Sequence, residues 1–331
     1  MIKYFSRQAC RVGLAVLATW TCLAVAQQPA TDYPAKPIRL VVPYPPGGAT
    51  DFFARVVFVS VGERLGQPII IDNKPGAGTT IGSEQVAKSA ADGYTLLLGD
   101  MGTFALNASL YKRLRYDPEK DFAPISLTGR FPLFLVINPK ITHAQSLSEL
   151  LAMASNSPGK LNYGAPGPGS PLHVAMEQFK QQAKIDVVAV PYKGGADALK
   201  DLLGGQIQMM FLDSATAMTQ IRSGTLKALA VASAEPLALF PEVPTVGKSG
   251  LTGFEAYAWQ GLVAPKGTPP AVIQKINEAF AVAMKDPEIL KKLADAGVEP
   301  LTTTPAQAAA YMSSETQRWA NVIHNSNISL D

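Results

Sequence analysis

The sequence predicts an α/β protein whose two lobes are joined by two chain crossings. From Pro37 onward, short β-branched runs alternate with longer amphipathic stretches, which is typical of parallel strands with crossover helices. The pattern restarts after residue 130, and a last strand with three helices returns near the C-terminus. The length also suits two domains of about 100 to 200 residues each. Two consecutive, independent domains are the alternative to this hinged arrangement with a cleft between its lobes.

Residues 1–26 have the three parts of a secretory signal peptide. Lys3, Arg7 and Arg11 are basic, residues 12–25 are apolar, and residues 24–26 form a small-residue cleavage site. A retained membrane anchor is the alternative, but the apolar run of 14 residues is shorter than the ~20 that a spanning helix needs. We therefore expect export and cleavage.

Cleavage changes the composition of the chain that remains. The signal contains both cysteines, Cys10 and Cys22, and it carries three of the 29 basic residues and none of the 26 acidic ones. The remaining 305 of the 331 residues therefore have no thiol chemistry and a formal charge of zero. Without a positive field, binding to nucleic acid or to a membrane surface is not expected.

The first lobe is predicted from residues 33–130 together with 254–331, and its strands are the runs rich in β-branched and aliphatic residues. They are residues 38–42, 68–71, 95–98 and 257–264. Its helices are residues 51–65, 79–90, 104–111, 269–284, 287–296 and 305–325, where Pro287 and Pro305 fit a first helical turn.

The second lobe is predicted from residues 131–253, so the crossings lie near 129–131 and 252–254. Its strands are residues 133–137, 160–163, 187–190, 207–212 and 226–231. Its helices are residues 147–155, 171–183, 196–203 and 215–222.

The most informative loop lies between the first strand and the first helix. Residues 43–51 read P-Y-P-P-G-G-A-T-D. The glycines permit a tight turn, and the first helical amides, at the positive end of the helix dipole, favour an anion. A plain turn with Thr50 or Asp51 as helix cap is the alternative. The candidate ligand contacts here are Tyr44, Pro45, Gly47, Gly48, Ala49, Thr50 and Asp51.

The second lobe repeats this loop. Residues 190–197 read V-P-Y-K-G-G-A-D, again between a predicted strand and a predicted helix, although glycine-rich turns can also match by chance. Other strand-to-helix loops cover residues 73–80, 99–104 and 163–173. Since ligands of open α/β sheets bind beyond the carboxyl ends of strands, these loops should converge. Their candidate contacts are Gly78, Thr103, Ala165, Gly167, Gly169, Ser170, His173, Tyr192 and Asp213.

Some of these side chains have a structural alternative. His173 follows Ser170, a good N-cap, so its ring either faces the cleft or packs within the first helical turn. Asp213 either caps the next helix or accepts a hydrogen bond from a ligand N–H or O–H. Four aromatic residues either wall the cleft or pack in the core: Tyr44, Phe104, Tyr192 and Trp259.

Motifs for catalysis are missing from the sequence. Neither G-x-x-x-x-G-K-[ST] nor G-x-S-x-G occurs, and Pro171 follows Ser170 where an oxyanion-hole N–H would be needed. The three histidines, His143, His173 and His324, do not have zinc-ligand spacing. We therefore expect no catalytic residues, no metal and no cofactor.

Six segments, in order along nearly all of the chain after residue 26, resemble the substrate-binding proteins of tripartite tricarboxylate transporters, the Bug or TctC family. They read P-I-R-L-V-V-P-Y-P-P-G-G-A-T-D (37–51), N-K-P-G-A-G (73–78), A-D-G-Y-T-L-L (91–97), Y-D-P-E-K-D-F-A-P-I-S (116–126), P-Y-K-G-G (191–195) and D-L-L-G-G-Q-I-Q-M-M-F (201–211). The resemblance implies the two-lobed periplasmic-binding-protein (Venus flytrap) architecture, a periplasmic location and delivery to a membrane permease.

The resemblance also implies how a ligand is held. A carboxylate would bind backbone amides and a hydroxyl of residues 167–170, with His173 nearby, and residues 44–51 would close over it, often through water. Two features depart from the family pattern: Pro166 and Pro168 remove two backbone donors, and Ala49 stands where glycine is common.

The expected function is therefore that of a monomeric, non-enzymatic receptor for a small carboxylate. Di- and tricarboxylates, acidic amino acids and aromatic carboxylates are the candidate ligands. A periplasmic enzyme acting on a small organic acid and a ligand-presenting sensor subunit are the alternatives.

Overall fold

Strands and helices alternate along residues 33–330, the part of the chain that the computed structural model describes. The predicted signal peptide, residues 1–26, lies outside the described residues. The strands are β1 (Ile38–Val42), β2 (Ile69–Asn73), β3 (Thr95–Asp100), β4 (Phe122–Ile137), β5 (Asn162–Pro166), β6 (Val188–Tyr192), β7 (Met209–Asp213), β8 (Lys227–Val231), β9 (Tyr257–Pro265) and β10 (Glu299–Pro300).

Each predicted helix is present, with ends shifted by a few residues at most. They are α1 (Ala49–Leu65), α2 (Thr80–Ala87), α3 (Asn107–Leu110), α4 (Leu147–Asn156), α5 (Pro171–Ala183), α6 (Gly195–Leu203), α7 (Ser214–Arg222), α8 (Pro270–Ala283), α9 (Pro287–Asp295) and α10 (Pro305–Asn325). A π-helical turn, Gly102–Leu106, leads directly into α3.

The strands form a mixed sheet with the order β2-β1-β3-β9-β4-β7-β5-β6, and β8 and β10 also pair with β4. The crossover units predicted from the sequence are parallel: β1 pairs with β2 and β3, and β5 pairs with β6 and β7. The two central strands β4 and β9 are antiparallel to each other and to their other neighbours. The antiparallel pairing at the centre of the sheet was not predicted from the sequence.

Strand β4 is the continuous connection between the two lobes. Its first part pairs with β9 as far as Pro132, and its second part pairs with β7 from Leu133 onward. The sequence predicted only the second part, because Pro124 and Pro132 interrupt the first and proline is rare inside strands. The structure accommodates the irregularity with register shifts between Pro124 and Ser126 and between Leu127 and Gly129.

The chain returns to the first lobe through β9. The amide of Ala232, just after β8, donates to the carbonyl of Leu133 at 2.7 Å, and the amide of Ala256 donates to the carbonyl of Ala232 at 2.9 Å. Residues 252–254, where the sequence predicts one crossing, directly precede β9, and residues 129–131, where it predicts the other, lie inside β4.

Helix α10 is anchored to the returning strand β9. Thr304 and Gln307 form a capping box at its start, and Pro305 occupies the first turn. The buried Glu315 accepts hydrogen bonds from the indoles of Trp259 at 3.0 Å and Trp319 at 2.8 Å. Between residues 33 and 330, no helix combines the length and apolar character that crossing a bilayer requires.

Candidate functional site

A cavity of about 490 Å³ lies at the carboxyl ends of the strands, lined by both lobes. The first lobe contributes Thr50 and Gln260, and the second contributes Ser170 and Asp213. An adjoining space of about 670 Å³ extends past residues 75–79 and 166–171. Seven residues line both spaces, which therefore form one cleft: Tyr44, Pro45, Asp100, Pro166, Ser170, Pro171 and Gly195.

Two helices begin at this cleft with a glycine N-cap and no side-chain cap. The N-cap of α1 is Gly48 and the N-cap of α6 is Gly194, and neither helix has a side-chain cap hydrogen bond. The first-turn amides, which have no partner within a helix, are therefore available to a ligand. A Cβ built on Gly194 or Gly195 would meet no atom within 4 Å, so the space beside the Cα atoms of this first turn is open.

The turn before α1 is held by Asp51, which is 2 % exposed. Its carboxylate accepts the Gly47 amide at 2.8 Å, the Asn73 side-chain amide at 3.0 Å and two Arg55 bonds at 2.9 Å. The Arg55 guanidinium and these donors lower the pKa of Asp51 to about 2. Asp51 therefore shapes the turn, including the positive φ of 86° at Gly47, and does not line the cavity.

The second-lobe turn before α5 already uses its own donors. The Gly167 amide donates to the Tyr192 carbonyl at 2.8 Å, the Ser170 amide to the Gly167 carbonyl at 2.8 Å, and the Ser170 hydroxyl to the Pro166 carbonyl. The amides implied as carboxylate donors are thus occupied in this conformation. Since Pro171 has no N–H, the free first-turn amide of α5 that faces the cavity is that of Leu172.

His173 completes this turn from inside. Its Nδ1 accepts the Gly169 amide at 3.0 Å, and its ring packs 6.2 Å from the Tyr163 ring. Burial lowers the pKa of His173, so the neutral ring that can accept this bond is favoured. Of the two interpretations left open, the structure shows packing against the turn, and His173 does not line the cleft.

Acidic side chains cap two other helix ends at the cavity. Asp213 accepts the Thr216 amide at 3.0 Å and the Thr216 hydroxyl at 3.1 Å, which makes it the N-cap of α7 as well as a lining residue. Asp100 accepts the Thr103 amide at 3.1 Å at the start of the π-helical turn. Both interpretations of Asp213 are therefore compatible with its position.

Asp100 also bonds to the hydroxyl of Tyr44. Burial raises the pKa of Asp100, and burial together with the nearby Asp100 charge raises the pKa of Tyr44 well above its usual 10, so Tyr44 remains a neutral donor. Directly opposite Asp100 on the neighbouring strand is Gln260. The Gln260 amide donates to the Thr50 hydroxyl at 2.8 Å.

The model of the tripartite tricarboxylate transporter family receptor matches residues 53–328. The chain belongs to this receptor family. BugT of Bordetella pertussis is 38 % identical over 320 residues, which are 96 % of this chain and 98 % of BugT.

Solved structures show the same relationship. A Rhodopseudomonas palustris protein solved with adipate is 32 % identical with a TM-score of 0.80, and the match covers 90 % of this chain and 99 % of that one. MatC from Rhodopseudomonas palustris, solved with bound malate, is 34 % identical with a TM-score of 0.75, over 88 % of this chain and 100 % of MatC. The solved relatives include the periplasmic binding protein BugD, 33 % identical with a TM-score of 0.77 over 90 % of this chain and 99 % of BugD, so the predicted two-lobed α/β fold is confirmed.

The receptor brings most predicted site residues to one cleft. Those that line it are Tyr44, Pro45, Gly48, Ala49, Thr50, Gly78, Gly167, Gly169, Ser170 and Asp213. Six others do not: Gly47, Asp51, Thr103, Ala165, His173 and Tyr192. Thr103 is fully buried against Thr79 Oγ1 at 3.0 Å, and the Tyr192 hydroxyl donates to Asp201 at 2.9 Å.

The sequence did not single out Asp100, Gln260 or Gly195, although all three line the cavity. The sequence could have indicated Gly195, since it belongs to the repeated glycine loop at residues 190–197. Trp259 lines the cavity, whereas Phe104 stacks behind it at 6.3 Å.

The serine and the histidine of the turn before α5 are engaged in hydrogen bonds within that turn. The hydroxyl of Ser170, the serine considered as a nucleophile, donates to the Pro166 carbonyl. Nδ1 of His173 accepts the Gly169 amide. Within residues 33–330, no three metal-binding side chains come together. Open helix amides can hold an anion, and Asp100, Asp213 and Gln260 can accept hydrogen bonds from a ligand N–H or O–H.

Proposed function

We propose that this receptor is an exported, non-enzymatic solute-binding protein that captures a small carboxylate for a tripartite transporter. The observation that carries the proposal is the pair of helix N-termini, α1 from the first lobe and α6 from the second, that open on one cleft with glycine caps. An anion between them would bind both lobes at once.

The physical basis is electrostatic. Each helix N-terminus carries roughly half an elementary positive charge, and its free amides donate hydrogen bonds to an anion. No arginine or lysine is among the described residues that line the 490 Å³ cavity, and Lys193 lines the adjoining 670 Å³ space, so within the 490 Å³ cavity oriented amides take the place of an ion pair. Contacts made with both lobes only when the cleft is closed would shift the population toward closure.

The relatives support a carboxylate ligand, since one was solved with adipate and another with malate. Residues 1–26 support export to the periplasm. We further propose that residues 33–130 with 254–331 form the first lobe, that residues 131–253 form the second, and that the protein acts as a monomer beside its membrane permease.

A thermal-shift screen of the protein without residues 1–26 tests this function. Mono-, di- and tricarboxylates and amino acids should include ligands that raise the melting temperature with concentration, because binding stabilises the folded state by mass action. Sugars and divalent metals serve as controls, and a shift with these alone contradicts the proposal. Mass spectrometry of the complex should recover the ligand unchanged, whereas a converted product would indicate an enzyme.

A further inference from the structure

A second group of polar side chains in the cavity is rich in hydrogen-bond acceptors. Asp100 and Gln260 come from the first lobe and Asp213 from the second. A simple anionic ligand needs donors, and the glycine-capped ends of α1 and α6 supply them. The acceptors therefore require a separate explanation.

Asp100 and Gln260 are direct cross-strand partners in the antiparallel pair of β3 and β9. Residues paired in this way point to the same face of a sheet and lie about 5 Å apart. Both side chains line the same cavity. The two side chains are thus neighbours on one wall of the cavity.

The Gln260 side chain has an unused acceptor. Its Nε2 donates to Thr50, but its Oε1 is buried and has no partner, and the residue is only 3 % exposed. Buried polar atoms are nearly always hydrogen-bonded, since leaving one unpaired is costly. A donor supplied from the cavity would satisfy Oε1.

The charge balance of the cavity points the same way. The two charged residues that line the 490 Å³ cavity are both acidic, Asp100 and Asp213, whereas Lys193 lines the adjoining 670 Å³ space beside the α6 N-terminus. The glycine-capped ends of α1 and α6 together carry about one positive charge, which matches one carboxylate. A second ligand carboxylate near Asp100 would be repelled, whereas an ammonium group would be attracted.

We propose that Asp100 and Gln260 form a subsite for the ammonium group of the ligand, so that the receptor selects amino carboxylates over plain carboxylates. The ligand carboxylate binds at the α1 and α6 N-termini, and the ammonium donates to the Asp100 carboxylate and to Gln260 Oε1. This inference rests on the proposed carboxylate-binding function.

Calorimetric titration with matched ligand pairs tests the subsite. The pairs are 4-aminobutyrate with butyrate, and aspartate with succinate, which differ only by the amino group. The wild-type protein should bind at least one amino member tenfold or more tightly than its plain partner. Equal affinities, or a preference for the plain member in both pairs, would overturn the inference and leave carboxylate binding intact.

The variant Asp100→Asn removes the charge but keeps an oxygen that can cap the helix. It should weaken the preferred amino carboxylate by tenfold or more and leave the plain carboxylate unchanged or tighter. Asp295→Asn, on the exposed surface of α9, matches the change in net charge and should alter neither. Equal weakening of both members by Asp100→Asn assigns Asp100 a structural role and overturns the subsite.

The second variant, Gln260→Leu, removes the unpartnered acceptor and should lower the ratio of the two affinities. Circular dichroism and the melting temperature establish that each variant is folded. If neither the members of these pairs nor any other carboxylate in the screen binds to the wild-type protein, the proposed function fails together with the subsite.

Discussion

The open space beside the first turn of α6 provides a sharp test of anion binding. Gly195 is the first residue of α6, its φ is not in the left-handed region, and a Cβ added there would meet nothing within 4 Å. The substitution Gly195→Ala should therefore cause no clash. It should raise the free energy of unfolding by about 0.4–1 kcal/mol, since alanine restricts the unfolded chain more than glycine does.

Gly195→Ala should weaken ligand binding even though it stabilises the fold. The new methyl group occupies space beside the open amides, where the carboxylate is expected, so a charge-assisted hydrogen bond of about 1.5–3 kcal/mol is lost or lengthened. At 1.4 kcal/mol per factor of ten, affinity should fall about tenfold to a hundredfold. Urea unfolding and calorimetric titration measure the two effects separately.

Gly247→Ala is the matched control. Its Cβ would make only ordinary contacts of 3.8–3.9 Å, and Gly247 lies outside the cleft, so binding should not change. If Gly195→Ala binds the ligand as tightly as the wild type does, the α6 N-terminus is not the anion site. A stability loss in Gly195→Ala would refute the statement that the space is empty.

Three further predictions concern groups beside the cleft. Asp51→Asn should lower the free energy of unfolding by about 2 kcal/mol at pH 7, because the pKa of Asp51 falls from 3.8 to about 2 on folding. Urea unfolding at a series of pH values should show this difference from the wild type shrinking below about pH 4 and vanishing near pH 2. Burial and the Lys180 charge lower the pKa of His173 below its usual 6.5, although Glu177 opposes them, so the stability that His173 contributes is complete above about pH 6.5 and is lost as the pH falls through the folded pKa. Urea unfolding midpoints measured from about pH 7.5 to 5 should therefore fall more steeply for the wild type than for His173→Asn. Parallel slopes would contradict this. Trp259 lines the cavity and Trp319 does not. Ligand binding should therefore change the tryptophan fluorescence of the wild type and of Trp319→Phe but not that of Trp259→Phe. The reverse result would place the ligand elsewhere.

Local sequence was sufficient for the glycine turns of the cleft. A strand followed by glycines and an amphipathic run determines where a helix begins, and the two related loops at residues 43–51 and 190–197 both reach the cavity. Which side chains of a loop face the cavity is set by tertiary packing. Tyr192 and Asp51 turn toward Asp201 and Arg55 instead, and neither partner is evident from the spacing of the loop alone.

The two neighbouring acceptors in the cavity could not be predicted from local sequence. Asp100 and Gln260 are 160 positions apart, and they become neighbours only through the antiparallel pairing of β3 with β9. The sequence pattern of alternating strands and helices favours parallel neighbours, so it gives no indication of this pairing. The first part of β4, with its two prolines, is hidden for the same reason: its stability comes from β9 and β10 rather than from local propensity.

The choice of helix caps sorts charge within the cleft. A glycine cap costs only a few tenths of a kcal/mol relative to serine or aspartate, and it leaves the first-turn amides free for an anion. An aspartate cap such as Asp100 or Asp213 consumes its amides and presents a carboxylate oxygen to the cavity instead. Glycine-capped and aspartate-capped helices therefore provide sites of opposite polarity at nearly equal cost in stability. Because the cavity has both kinds, a ligand with one carboxylate and one ammonium group satisfies more of its wall than a dicarboxylate of the same size, whose second charge would face Asp100.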